Sequence, residues 1–156
     1  MKSVGSQNSQ RGHKVEGIIS DRYGGTLSGL SGYDFELNGI LVEVKSCLSW
    51  HTTRDKGKPY SAEARVRIEI DEHEDLKKIA DSQNKKAVYA FVKIPRYPDG
   101  KAEKNPVEWT EAWSKWEDVD SLVKDPKKVG TSENTTAIDG RKRKYYNVKL
   151  RFIFGK

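Results

Sequence analysis

Apolar positions along the chain fall into a few patterns, and each predicts an element. Within 11–23, Val15, Ile18, Ile19 and Tyr23 recur at helical spacing, and Gly24 with Gly25 supplies a stop, so an amphipathic helix is expected. Residues 26–32 mix Gly29 and Gly32 with Ser and Leu and read as a short strand or loop. An Asn38-Gly39 pair, a strong hairpin signal, precedes an apolar run from Ile40 that only Glu43 and Lys45 interrupt. Between 64 and 70, Ala64, Val66, Ile68 and Ile70 alternate with Arg65, Arg67 and Glu69, which predicts a half-buried strand with a charged outer face. Asp71 then stands as a helix cap with Glu74 three residues on, a capping box, and Leu76, Ile79 and Ala80 form an apolar stripe that ends near Asn84. Residues 86–94, KAVYAFVKI, are a nearly continuous apolar run closed by Pro95 and Pro98, as expected of a central strand buried on both faces.

Other stretches carry weaker patterns. Residues 46–59, 99–105 and 125–139 are polar and read as loops. Asn105, Pro106 and Glu108 have the chemistry of a helix start, after which Trp109, Trp113 and Trp116 would share a face continued by Val119 and Val123. A strand ending before a short helix at Glu117 is the alternative. Over 145–154, Tyr146, Val148, Leu150, Phe152 and Phe154 alternate with Asn147, Lys149 and Arg151, predicting a strand toward a sheet edge. The order of elements predicts an α/β fold with a central mixed β-sheet flanked by helices. No repeat or linker divides it, so residues 1–156 are expected to form one domain, with 1–10 a flexible tail and 95–156 a C-terminal extension of the core.

Composition narrows the class. Hydrophobic residues (35%) scarcely outnumber charged ones (33%), so the core is modest and the surface heavily charged. A net charge of +6 with an isoelectric point near 9.3 favours an anionic partner, of which nucleic acid is the commonest. The single Cys47 excludes an internal disulfide and suits a reducing compartment. No apolar run approaches the roughly 18 to 20 residues of a membrane span, and the first residues lack the apolar core of a signal peptide. A soluble, intracellular, cytoplasmic protein is expected.

The sharpest chemistry lies in GYDFELNGILVEVKS, from Gly32 to Ser46. On a strand, Ile40, Val42 and Val44 share one face and Leu41, Glu43 and Lys45 the other, so two unlike charges stand side by side in an apolar element. Such charges are costly unless they pair or hold a metal. The turn at Asn38-Gly39 brings Asp34 back toward Glu43. Asp34, Glu43 and the backbone carbonyl of Val44 then offer hard oxygen donors suited to Mg²⁺, with Mn²⁺ able to substitute, and Lys45 could neutralise charge on a phosphate. Gly32 would let the backbone approach closely. An ordinary hairpin with Glu43 and Lys45 on its solvent face is the structural alternative.

The run GYDF…LVEVKS resembles the core of the PD-(D/E)XK nuclease superfamily, with Asp34, Glu43 and Lys45 at its acidic and lysine positions and Tyr33 where the name-giving motif has Pro. The order of helix, strand, hairpin strand, strand, helix and strand is also similar. The likeness covers about the first 94 residues and is nearest to archaeal Holliday-junction resolvases, whose first-helix acid matches Glu16. It implies a restriction endonuclease-like fold and a Mg²⁺-dependent endodeoxyribonuclease acting on DNA as a homodimer, with Asp34, Glu43, Lys45 and Glu16 catalytic. A junction resolvase and a restriction-like or phage-type enzyme both fit. A non-catalytic nucleic-acid-binding module on the same fold is the alternative.

Basic side chains supply the expected DNA contacts: Arg65 and Arg67, the run Arg141, Lys142, Arg143 and Lys144 leading into Tyr145 and Tyr146, and Lys149 with Arg151. Solvated loop charges are the competing reading of 141–144. The acids of 71–75 suit a helix N-terminus without any ligand. His13, His51 and His73 have no zinc spacing, and the Trp residues are expected in the core or at a dimer contact.

Overall fold

A computed structural model of the chain describes residues 15–28, 32–48, 50–55, 58–63, 65–94, 110–135, 140 and 142–155. Its elements are α1 (15–23), β1 (Thr26–Leu27), β2 (Phe35–Leu37), β3 (Ile40–Leu48), β4 (Trp50–Asp55), β5 (Lys58–Glu63), β6 (Arg65–Glu69) and α2 (Ile70–Ser82). These are followed by β7 (Lys86–Ile94), β8 (Thr110–Lys115), α3 (Trp116–Val123), β9 (Gly130–Thr135), β10 (Lys142–Lys149) and a short α4 (Arg151–Phe154). The fold is α/β with a mixed central sheet. Its five strands lie in the order β1-β2-β3-β7-β8, and only the β3–β7 pair is parallel. A parallel pair needs a crossover, and α2 lies within the one that joins these strands.

Apolar layers cover both faces. α1 brings Val15 and Ile19 onto Phe35, Val42, Val44, Ala90, Val92 and Ile94. The opposite face, with Leu41, Ala87, Tyr89 and Phe91, packs against α2 and α3 through Leu76, Ala80, Trp116, Val119 and Val123. A three-stranded sheet, β6-β10-β9, joins the same layer through Val66, Ile68 and Val148. Full burial of an aliphatic side chain is worth about 1.5–3 kcal/mol. Leu41 and Val42 are both wholly buried on opposite faces, so a one-residue slip of β3 would drive Glu43 and Lys45 into the layer beneath α1. That penalty fixes which face carries the charges.

The Asn38-Gly39 turn forms with both residues at positive φ (50° and 79°), the geometry of a two-residue hairpin. β7 occupies the residues expected of it. Other expectations are corrected. The 46–59 stretch is no loop: β3 runs on to Leu48, and β4 pairs with β5 in a hairpin too polar to leave an apolar alternation in the sequence. Asp71 is not the cap of α2, which begins at Ile70 directly from β6, with Glu69 at the cap position making no side-chain cap bond. Trp109 lies outside the described residues, Trp113 sits in β8 and is 37% exposed, and Trp116 opens α3 and is buried. The helical spacing of these tryptophans is therefore incidental, and the strand alternative describes the segment. Within 125–139 lies β9. β10 ends at Lys149 and is the middle strand of its sheet, because β9 supplies the edge. Residues 1–14, with the expected tail, lie outside the described residues, as do 95–109.

Candidate active site

The ladder between β2 and β3 starts at Phe35, opposite Val42. Asp34 stands one position earlier, and its side chain takes over the work of the missing strand. Its N–H donates to the Val42 carbonyl (2.9 Å), and its Oδ2 accepts the Val44 N–H at 2.6 Å. The carboxyl group is thereby held at the end of the hairpin. Within a paired strand the N–H and C=O of one residue point to the same side. The Val44 carbonyl therefore opens toward the side on which β2 has ended, beside Asp34.

Glu43 projects from β3 one residue before Val44, whose N–H holds Asp34. Burial, then the Asp34 charge, push the Glu43 carboxyl up to about 9, against the pull of Lys45. At neutral pH Glu43 accordingly keeps a proton. The Lys45 ammonium stands 3.9 Å from Glu43 Oε1 and 3.7 Å from Glu72 Oε2 on α2. Burial works to lower its pKa, but Glu43, Glu72 and Asp34 outweigh it and leave the ammonium raised. Two carboxyl groups, the Val44 carbonyl and the Lys45 ammonium meet at one sheet end. These oxygens could hold a hard divalent cation.

Gly32 has a φ of +111°, a conformation that L side chains rarely adopt, and a Cβ there would also meet the flexible tip of Ile79 on α2. Glu16 is half-buried on α1, the helix that covers the Val42–Val44 face, opposite Glu43 and Lys45. To join the site it would have to reach around the sheet end.

Register sorts the basic residues. Lys149 pairs with Arg65, Asn147 with Arg67 and Tyr145 with Glu69, so Arg65, Arg67, Arg143, Tyr145 and Lys149 share the outer face of the small sheet. Arg67 lies over the Tyr145 ring at 4.2 Å. Lys142 and Lys144 belong to the other face with Val148, and Arg151 is exposed in α4. Arg141 lies outside the described residues. Arg143 reaches Glu69 Oε2 at 3.4 Å, and its Nε is buried with no hydrogen-bond partner.

Sequence reasoning missed a second cluster. His73 is completely buried, with Nδ1 2.7 Å from the Tyr89 hydroxyl and Nε2 3.0 Å from Asp120 Oδ1. Its ring stacks on Trp116 (4.5 Å, 10°), whose indole N–H donates to the His73 carbonyl. Burial lowers the His73 pKa, partly opposed by Asp120. Ligand-type atoms of His73, Glu74 and Asp120 lie within 4.8 Å of one another. Both imidazole nitrogens are already engaged, however, and Lys124 holds Asp120 Oδ2 at 2.9 Å. The cluster is a satisfied clasp between α2, β7 and α3. Its only sign in the sequence is a His on the Leu76 side of α2. Burial pushes the Cys47 thiol up to about 12.

Comparison of the chain with models of protein families, with curated proteins and with solved structures finds no match. Among the described residues, no helix is long and apolar enough to cross a membrane.

Proposed function

We propose that this protein is a metal-dependent DNA endonuclease on a restriction endonuclease-like fold, with Asp34, Glu43 and Lys45 at its reaction centre. The observation that carries the reading is the convergence of these side chains beside Val44, whose N–H holds Asp34, at the end of β3. A satisfied structural ion pair would not need a second carboxyl group pressed against the first. Asp34, Glu43 and the Val44 carbonyl would hold Mg²⁺ or Mn²⁺, and the donor set fits, since all three offer the hard oxygen atoms that such a cation takes. When bound there, the ion would supply positive charge to the scissile phosphate and acidify an attacking water.

The chain's own groups do the rest. The Val44 N–H fixes Asp34, and Glu43 would stand beside it as the second carboxylate donor. The Lys45 ammonium faces the same opening and can offset negative charge that grows on the phosphate oxygens. Arg65, Arg67, Arg143 and Lys149 provide a cationic face for the nucleic-acid backbone. That face leads toward the site, because Arg143 touches Glu69 at the start of α2, and Glu72 in the first turn of that helix reaches Lys45. Symmetric cutting of two strands requires two copies of the site, so a homodimer goes with this reading.

The test is cleavage of linear duplex, single strand and four-way junction with Mg²⁺, Mn²⁺ or chelator. Asp34→Ala, Glu43→Ala and Lys45→Ala are run in parallel. Metal-dependent cleavage lost in all three variants is expected, and preference for junctions over duplex would assign the subclass. Activity that survives removal of both carboxyl groups refutes the site. Binding without cleavage of any substrate, even with Mn²⁺, would instead make the protein a nucleic-acid-binding module.

A further inference from the structure

Lys45 sits between two carboxylates, neither within ordinary hydrogen-bond distance, and the nearer is Glu72 (3.7 Å). Glu43 cannot steer the ammonium through a reaction cycle. When a cation binds, the charge of Glu43 is committed to that cation. Asp34 is tied to the Val44 N–H. Glu72 has neither obligation. It lies in the first turn of α2, carried by a helix whose Leu76 and Ala80 are buried in the core. Its side chain is 56% exposed. Buried Glu69 precedes it at the start of the helix, and burial and the Glu72 charge raise the Glu69 carboxyl. Arg143 secures Glu69 from behind at 3.4 Å.

We propose that Glu72 is the positioning residue of the centre: from α2 it holds the Lys45 ammonium over the site and keeps it off the carboxyl groups that take the cation. This rests on the nuclease reading for its purpose, but not for its geometry. Glu72 was not among the residues singled out in the sequence, where it appeared only as a helix-end acid.

The experiment uses the full chain with Glu72→Gln, Glu72→Asp, Lys45→Met and the Lys45→Met/Glu72→Gln double variant. NMR of the metal-free protein reads the Lys45 ε-methylene group. A held lysine shows two distinct Hε resonances, which should merge toward one averaged signal in Glu72→Gln and stay distinct in Glu72→Asp. Cleavage kinetics read the second consequence. Glu72→Gln should lower kcat roughly ten- to hundredfold, as for a misplaced reacting group, with half-saturation by Mg²⁺ changed by less than about twofold. Glu72→Asp should recover part of the rate, and the double variant should be no slower than Lys45→Met, because the two side chains act as one unit. Unaltered Lys45 resonances in Glu72→Gln overturn the proposal. So does a rise in Mg²⁺ half-saturation of about tenfold or more, which would make Glu72 a ligand, and so does a fully additive double variant. If the wild-type protein cleaves nothing, the nuclease reading fails, and the resonances alone decide whether Glu72 holds Lys45.

Discussion

Replacing Glu43 by Gln keeps the shape of the side chain and leaves an amide that can donate to Asp34, while removing the ionisable group. The folded protein holds this carboxyl at about 9, whereas its ordinary value is 4.5. At pH 7 the unfolded chain releases the proton and the folded chain does not. That difference favours unfolding by at most about 3 kcal/mol at 1.36 kcal/mol per pH unit. The folded-state value already includes the pull of Lys45, and Gln cannot match every contact of the carboxyl, so Glu43→Gln should gain about 1–2 kcal/mol at pH 7. For a chain of this length that is a rise in Tm of about 2–8 °C. The direction with pH is fixed. A carboxyl raised on folding contributes stability that is fully present below about 4.5 and lost as pH rises toward about 9. The wild-type Tm, measured in chelator, should therefore fall between pH 5 and 9 more steeply than that of Glu43→Gln. Added Mg²⁺ should restore stability to the wild type increasingly as pH rises, and should do little for the variant. Parallel Tm–pH curves, or a variant less stable than wild type at pH 8, would refute the account of Glu43 as a strained group awaiting a cation.

Two further expectations concern the scaffold. His73→Phe keeps a ring against Trp116 but leaves the Tyr89 hydroxyl unpaired, and should cost about 1–3 kcal/mol in chemical denaturation. The His73 pKa is lowered on folding, so its contribution is present above about 6.5 and lost as pH falls below it. The variant's stability should then decline less than the wild type's from pH 7 to 5, and equal slopes would contradict this. Gly32→Ala sets a Cβ against Ile79 Cδ1 at a φ of +111° and should cost about 1–3 kcal/mol. Adding Ile79→Val should recover the packing share of that loss but not the backbone share, and no recovery at all would mean that the contact is not what demands glycine.

The elements that the sequence revealed are those whose side chains meet a uniform environment. β7 is apolar because both of its faces are covered, the Asn38-Gly39 turn is named by its φ requirement, and α2 shows its stripe. β4 and β9 lie in stretches that read as loops because a polar strand leaves no period-two signal. α2 opened without its expected cap because β6 feeds into it directly. The site divided in the same way. Asp34, Glu43 and Lys45 are close along the chain, and one hairpin is enough to bring them together, so their pattern was legible. Glu72, Glu69, Arg143 and the His73 clasp come from separate elements, and no local pattern joins them. Their residue types were visible, but which face of α2 meets β3, and which face of β10 meets Glu69, is settled by how the apolar layers pack. Chain order thus determined the chemistry at the end of β3. The packing of α2 and the small sheet alone decided what surrounds it, because a side chain's partner across elements depends on register and rotation, which one-dimensional spacing does not encode.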